Sequence, residues 1–449
     1  MINPWILEGV ILRQGEANLS SPVPSDKAAG LAAFQSKYLV RDLQAGIVTG
    51  VMAIPLSVGI AMMSDYPIKV GLATVAFACF IGWINAWFRP GNYVGTPGIA
   101  AGLAPVLALG VATFGMENMA FLVFLTASMQ AVIWRFNWQK YILLLVPFYL
   151  VEGLLAGIGL KIALKFFTFT YELSPDLVAA DQFWNLARIQ MFGISLFAFG
   201  LFVFLFSKYK DTSPAMAYFI LIIFGVVLAQ FIDVPMIYVQ DLELSIALPI
   251  PHFDGALVWL HAIGFALLLA IVDVIEQVMS NAAIEKIDPL KRKCDSNNSL
   301  MAIWISNMGA SFFGGMTNLD GLAKSTTNIL AGAYTKFSVL IVGCVVSFFV
   351  IYSQYLEYLP KFSLAALMIF TGWKMISGLF HVAEFGRYPL ILATLCGFLV
   401  FKLGIFEGLL IALLVHAIVK YTYYYRVDKL SHSQIIRKFF GKSRAKSRK

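Results

Sequence analysis

Three acidic side chains, one lysine and one serine could carry chemistry here, because each stands in or beside apolar sequence where charge is costly. The run Ala270-Ile271-Val272-Asp273-Val274-Ile275-Glu276-Gln277-Val278-Met279-Ser280-Asn281 sets Asp273, Glu276 and Ser280 at i, i+3 and i+7. On a helix they share one face. A carboxylate inside hydrocarbon is expensive unless it is paired, protonated or hydrated, which makes such residues functional candidates. The evident counter-charge is Lys324, with Asp320 one helical turn before it. Two uses of Glu276 remain open: coupling of a cation or proton to a site, or a structural ion pair with Lys324. Asp273 either joins that site, faces a water-filled vestibule or caps a neighbouring helix. If Asp273, Glu276 and Asp320 are all ionised against Lys324 alone, the region is net negative and a poor anion trap. A cation bound near Glu276 and Ser280 would correct that balance and make anion binding depend on it. Sodium suits a carboxylate joined by hydroxyl and carbonyl oxygens, and a desolvated carboxyl suits a proton. Ser280, one turn beyond Glu276, tilts the choice toward sodium.

The elements that must position these groups are membrane helices. The chain is 59% hydrophobic and 13% charged over 449 residues, against about 25% charged in a soluble domain. Apolar stretches recur at 44–63, 69–88, 97–113, 118–134, 141–165, 187–207, 214–233, 256–281, 298–314, 321–335, 336–354, 360–377, 387–403 and 405–424. Stretches near twenty residues cross roughly 30 Å of hydrocarbon as helices. The spacing therefore predicts an all-α polytopic membrane protein with about fourteen segments, its membrane domain at 41–425 between a polar segment at 1–40 and a basic tail at 426–449. No signal peptide is legible in the first forty residues.

Loops with Arg135 and Lys140, Lys208 and Lys210, and Lys286 to Lys293 alternate with 166–185 and 234–255, which carry carboxylates and no Lys or Arg. The positive-inside rule then predicts two cytoplasmic termini in a cell (inner) membrane. The net charge of +8 is largely local, since Lys429 to Lys449 holds eight Lys or Arg and no carboxylate. Such a tail meets anionic headgroups, so nucleic acid is not implied. Cys79, Cys344, Cys396 and Cys294 form no expected disulfide. The five histidines suggest no metal site, and His416 reads as packed or interfacial. Lys161 and Lys165 read as lysines reaching the outer interface. Glu152, nine residues before Lys161, lies on a different face of the fifth segment. No phosphate-binding loop, dinucleotide fingerprint or nucleophile elbow occurs, so an enzyme and an ATP-driven pump have no support.

Two segments are broken in the same way. Asn92-Tyr93-Val94-Gly95-Thr96-Pro97-Gly98 precedes the third span, and Gly314-Gly315-Met316-Thr317-Asn318-Leu319-Asp320-Gly321 precedes the tenth. Each reads as extended chain followed by a half-length helix, at corresponding places in two halves of seven. Glycine can also serve merely to let helices cross closely, but matched interruptions point to a transporter site at a repeat interface. Half-helix N-termini offer free N–H groups and partial positive charge, which favour an anion.

The chain resembles the SulP sulfate-permease and anion-exchanger family. The likeness rests on Leu43-Gln44-Ala45-Gly46-Ile47-Val48-Thr49-Gly50-Val51-Met52-Ala53-Ile54-Pro55-Leu56 and on Val94-Gly95-Thr96-Pro97. Val151-Glu152-Gly153 with Gly157-Ile158-Gly159, and Glu276, add to it. The most specific match runs from Phe313-Gly314-Gly315-Met316 through Ala323-Lys324-Ser325-Thr326-Thr327-Asn328 to Ala331-Gly332-Ala333. The resemblance implies two inverted seven-helix repeats arranged as core and gate domains, with half-helices 3 and 10. It implies an anion site lined by Leu56 and Ile60, by Gly98 and Ile99, and by Asp320, Gly321, Leu322 and Lys324. Glu276 and Ser280, with Asp273, would serve a coupling ion, possible sodium included, and no cofactor is implied.

Three departures stand out. The family's cytoplasmic STAS domain has no counterpart in the basic tail, Asp320 is a carboxylate where small neutral residues prevail, and Gly98 lacks a hydroxyl. The expected function is cation-coupled symport of a small inorganic anion, sulfate or bicarbonate, by a carrier that can form a homodimer. The alternatives are a nucleobase or borate-type carrier of the same fold, whose carboxylates would bind a neutral heterocycle, and an anion channel or exchanger.

Overall fold

In hydrocarbon every backbone N–H and C=O must be paired within the protein, so apolar runs become helices and irregular backbone survives only where protein surrounds it. The computed structural model describes residues 30–99, 101–139, 147–174, 185–213, 215–240, 242–403 and 405–426. The expected N-terminal segment through residue 29, Lys140 and the basic tail from residue 427 lie outside the described residues.

The helices follow the predicted order. They are α1 (Leu39–Met63), α2 (Ile68–Phe88), α3 (Ala104–Phe114), α4 (Met116–Phe136), α5 (Phe148–Phe167), α6 (Leu186–Tyr209) and α7 (Ala215–Leu228), then α8 (Ala256–Ile287), α9 (Ser296–Ser311), α10 (Leu322–Leu330), α11 (Phe337–Ile351), α12 (Lys361–Ala383), α13 (Arg387–Lys402) and α14 (Ile405–Arg426). Among the described residues, seven helices are long and apolar enough to cross a membrane by themselves. Others fall short for a physical reason. With 11 and 9 residues, α3 and α10 extend only about 16 and 14 Å, half of a bilayer core.

The missing length of those two is taken up by strands. Pro97–Ile99 (β1) precedes α3 and Asn318–Asp320 (β2) precedes α10, and the two pair antiparallel with Pro97 opposite Asp320, Gly98 opposite Leu319 and Ile99 opposite Asn318. An antiparallel ladder sends α3 away from one end and α10 from the other. Both N-termini therefore point back toward the ladder.

The chain divides into two compact units, one of Met1–Leu145 with Gly159–Lys374, the other of Val146–Ile158 with Met375–Lys449. In the first, α1 packs against α2, α11 and α10, and α9 packs against α4, α2 and α8. A Cβ on Gly46 or Gly50 would strike Ile341 or Val345 of α11, so these glycines set the close α1–α11 crossing. The amino end of this unit is tied down by Asp42, whose carboxylate accepts from the backbone N–H of Tyr334 and from both N–H and hydroxyl of Thr335. At the far end of α1, Lys165 bonds the Met62 and Met63 carbonyls and pairs with Asp65 at 2.7 Å.

In the second unit α13 packs against α14, and Gly153 and Gly157 of α5 lie against the backbone of Ala393 and Gly397. His416 is buried and shares its Nδ1 with the hydroxyls of Tyr149 and Tyr388, each at 3.0 Å. It is a packed residue, as expected. All four cysteines are free.

Candidate functional site

The break around β1 and β2 exposes backbone that no helix satisfies, and polar side chains from the surrounding helices supply the partners. Thr74 of α2 accepts from Met316 N, Asn307 of α9 from Asn318 N, and Gln277 of α8 from Asp320 N. Ser325 Oγ accepts from Thr96 N while donating to the Gly321 carbonyl, and Asn328 Nδ2 donates to the Val94 carbonyl. Ser and Asn in otherwise apolar helices are thus explained by the backbone they pair, since an unpaired buried group costs about 1–3 kcal/mol.

Strand alternation then sorts the side chains. Pro97 and Ile99 turn toward α2, where they lie beside Gly82 and Gly71. Gly98 faces the opposite way. On that side stands Lys324, from the first turn of α10: a Cβ on Gly98 would collide with its Nζ. Lys324 is 2% exposed and its ammonium has no hydrogen-bond partner. Four residues along, Gly102 adjoins Glu276, whose Oε1 is buried and likewise unpartnered. Neither α3 nor α10 has a side-chain cap at its N-terminus, although α3 continues from a 3-10 turn at Ala101–Leu103 and carries Pro105 in its first turn, and both starts bring the positive end of a helix dipole toward the ladder. The arrangement offers the unspent Lys324 cation, the unspent Glu276 Oε1 and, one turn before it on α8, a second unpartnered carboxylate oxygen, Asp273 Oδ1.

The acids are held differently. Asp320, 5% exposed, receives Asn92 Nδ2 at 2.6 Å and Gln277 Nε2 at 2.9 Å on Oδ2, and Lys336 Nζ lies 3.7 Å from Oδ1. Asp273 is fully buried, with Oδ2 bonded by Gln130 Nε2 at 2.5 Å and by Asn307 Nδ2 at 3.2 Å. Asn307 in turn bonds Gln130 and Asn318, so α4, α8, α9 and β2 share one buried polar network. The expected ion pair between Glu276 and Lys324 does not form among the described residues: Glu276 Oε1 and Lys324 Nζ are both without a hydrogen-bond partner. Asp320 is engaged through both oxygens, and Asp273 through Oδ2 alone, its Oδ1 being buried and unpartnered.

Of the remaining expected residues, Leu56 and Ile60 are buried on α1, the helix that touches both α10 and β1. Gly321 is the N-cap of α10, with its extended backbone bonded to the Thr96 carbonyl. Ser280 follows Glu276 on α8 and is partly buried. Two residues are placed less centrally. The Ile99 side chain lies against Gly71 of α2, and Leu322 is 45% exposed. Lys336, Gln277, Asn307 and Gln130 went unassigned in the sequence. Their signal was polarity within or beside apolar runs, but their partners lie on distant segments.

The fold has known counterparts. Residues 39–395 match the model of the sulfate permease family. The Bacillus subtilis (strain 168) protein named "Putative sulfate transporter YvdB" is 27% identical over 354 residues, covering 75% of this chain and 64% of that protein. This chain thus spans less than two thirds of that relative's length. Among solved structures, SLC26A9 superposes with a TM-score of 0.71 at 16% identity, over 93% of this chain and 70% of that one. The transmembrane domain of a cyanobacterium bicarbonate transporter, BicA, gives 0.68 at 17% identity, over 85% and 98%. These likenesses establish the fold, a polytopic membrane architecture. With the family model covering most of the sequence, including both broken segments, the chain belongs to the sulfate permease family.

Proposed function

We propose that the protein is a secondary transporter of a small inorganic anion, sulfate or bicarbonate, moved by alternating access and driven by a coupled cation. The observation that carries this reading is the orphaned Lys324 ammonium beside Gly98, between two uncapped half-helix N-termini. A buried charge without a partner is costly, and an anion seated against it would repay that cost. Glu276 supplies the complementary half. Its free Oε1 and Ser280 one turn on suit a sodium ion or a proton as co-substrate. The membrane domain at 41–425, both termini on the cytoplasmic side of the cell membrane, and a homodimer complete the proposal. A carrier of neutral heterocycles fits less well, because the Asp320 carboxylate is occupied by Asn92, Gln277 and Lys336.

The test is uptake of labelled sulfate and bicarbonate into proteoliposomes, with and without imposed sodium and proton gradients. Saturable uptake that shows counterflow and rises with one cation gradient is expected. Non-saturating conductance without counterflow would make the protein a channel, and stabilisation by uracil in place of anions would move it to the heterocycle carriers.

A further inference from the structure

Counted from the sequence, the acids around the break outnumber the bases, and Asp320 is the most awkward of them. It ends β2 and precedes α10 by two residues, so an unopposed carboxylate there would compete with any anion for the α10 N-terminus and for Lys324. The structure contains a further cation that removes this conflict. Lys336, between α10 and α11, is 4% exposed, donates from Nζ to the Gly95 carbonyl at 2.5 Å, and stands 3.7 Å from Asp320 Oδ1. Its backbone N–H is fixed in turn on the Ala32 carbonyl.

Asp320 Oδ2 meanwhile takes two amide donors, from Asn92 before β1 and Gln277 on α8. Lys336 and Asp320 also line a cavity of about 20 Å³ with Ser306, Asn318 and Ser299, room for about one water molecule among polar partners. Pro97, opposite Asp320 in the ladder, is another wall of that cavity, whereas Lys324 lies on the Gly98 side. The two lysines serve different faces of one ladder.

We propose that Lys336 is a positioning residue for the anion site: its ammonium cancels the Asp320 carboxylate, making Asp320 a neutral strut between β1, β2 and α8, and leaves the whole charge of Lys324 to the transported anion. This rests on the anion reading above and extends it to Lys336.

The test uses the full chain with Lys336→Met, Asp320→Asn and the double substitution. In sulfate and bicarbonate uptake, Lys336→Met is expected to raise KM about tenfold or more while changing Vmax little, because one uncancelled charge beside the site opposes the anion. Asp320→Asn keeps the shape and leaves an extra positive charge, so KM should fall. The double variant should return to near the wild-type KM. A strut acting only by packing would raise KM in both single variants and raise it further in the double. A KM unchanged by Lys336→Met, a KM raised by Asp320→Asn, or a double variant no better than Lys336→Met would each overturn the proposal. Thermal unfolding without any anion reads the pair separately. There the two substitutions should be strongly non-additive, and additive shifts would overturn the pairing even if the wild type moved no inorganic anion, the outcome that would sink the functional reading instead.

Discussion

Lys324 Nζ occupies the space that a Cβ on residue 98 would need, so Gly98 and Lys324 form one feature contributed by two strand–helix units. The glycine that lacks a substrate-contacting hydroxyl is the condition for an ammonium to lie against β1. Gly98→Ala must displace that ammonium. Anion affinity should fall about tenfold if one charge-assisted contact worth about 1.5 kcal/mol is lost. In a Lys324→Ala background the same substitution should cost almost nothing, and equal losses in both backgrounds would break the link.

Lys324→Ala itself should weaken anion binding at least tenfold, since charge-assisted hydrogen bonds contribute about 1.5–3 kcal/mol. The protein should remain folded, because the ammonium it loses has no partner to orphan. Ligand-induced thermal stabilisation by sulfate or bicarbonate measures this. Undiminished stabilisation in the variant would take Lys324 out of the site.

Glu276→Gln should abolish gradient-driven uptake and leave anion exchange at zero gradient less affected. The substitution keeps the shape beside Gly102 and removes only the charge. Uptake that still rises as steeply with sodium or protons would locate coupling elsewhere.

Asn307→Leu addresses the network rather than the site. It removes the acceptor of Asn318 N and one donor to Asp273. Each buried group left unpaired costs about 1–3 kcal/mol, so a marked drop in thermal midpoint is expected. A midpoint within a degree or so of wild type would mean that other groups satisfy both.

Cys294, in the loop between α8 and α9, is buried, and its backbone N–H donates to Glu285 Oε2. Burial, then the Glu285 and Asp288 carboxylates, push its thiol up from the usual range. A raised pKa leaves less thiolate at every pH below it, so maleimide labelling at residue 294 should stay slow as the buffer passes about pH 8.5, the ordinary thiol midpoint. Mass spectrometry should show the adduct at residue 294 only when the protein is denatured before labelling.

Much of this was legible in the sequence, for identifiable reasons. Helices in lipid need only a long apolar run, and the predicted spans at 187–207 and 387–403 became Leu186–Tyr209 and Arg387–Lys402. Gly/Pro-rich interruptions marked β1 and β2 because they break the apolar helical runs, and at Gly98 the glycine leaves room for Lys324 Nζ. The pairings of Asp320 and Asp273 were not legible. Which face of a three-residue strand an acid takes depends on register with a segment far along the chain, and Lys336 lies sixteen residues beyond Asp320 with no spacing that ties the two together. The seven Ser and Asn residues of Ser296–Ser311 were the available clue, since so many polar groups in one membrane helix need backbone or side chains to bond.

The ladder between β1 and β2 also constrains how the protein is made. Ile99 pairs with Asn318, more than two hundred positions later, and ribosomes add about 5–20 residues per second. For roughly 10 to 40 seconds, then, β1 lacks its ladder partner, and lipid offers no substitute for it. The nascent amino-terminal half must be sheltered through that interval, by the insertion machinery or by shallow placement near the headgroups, until its mate emerges. Assembly of the transport site is for that reason a late event in biogenesis, and defects in the tenth helix should appear as degradation of otherwise inserted chains.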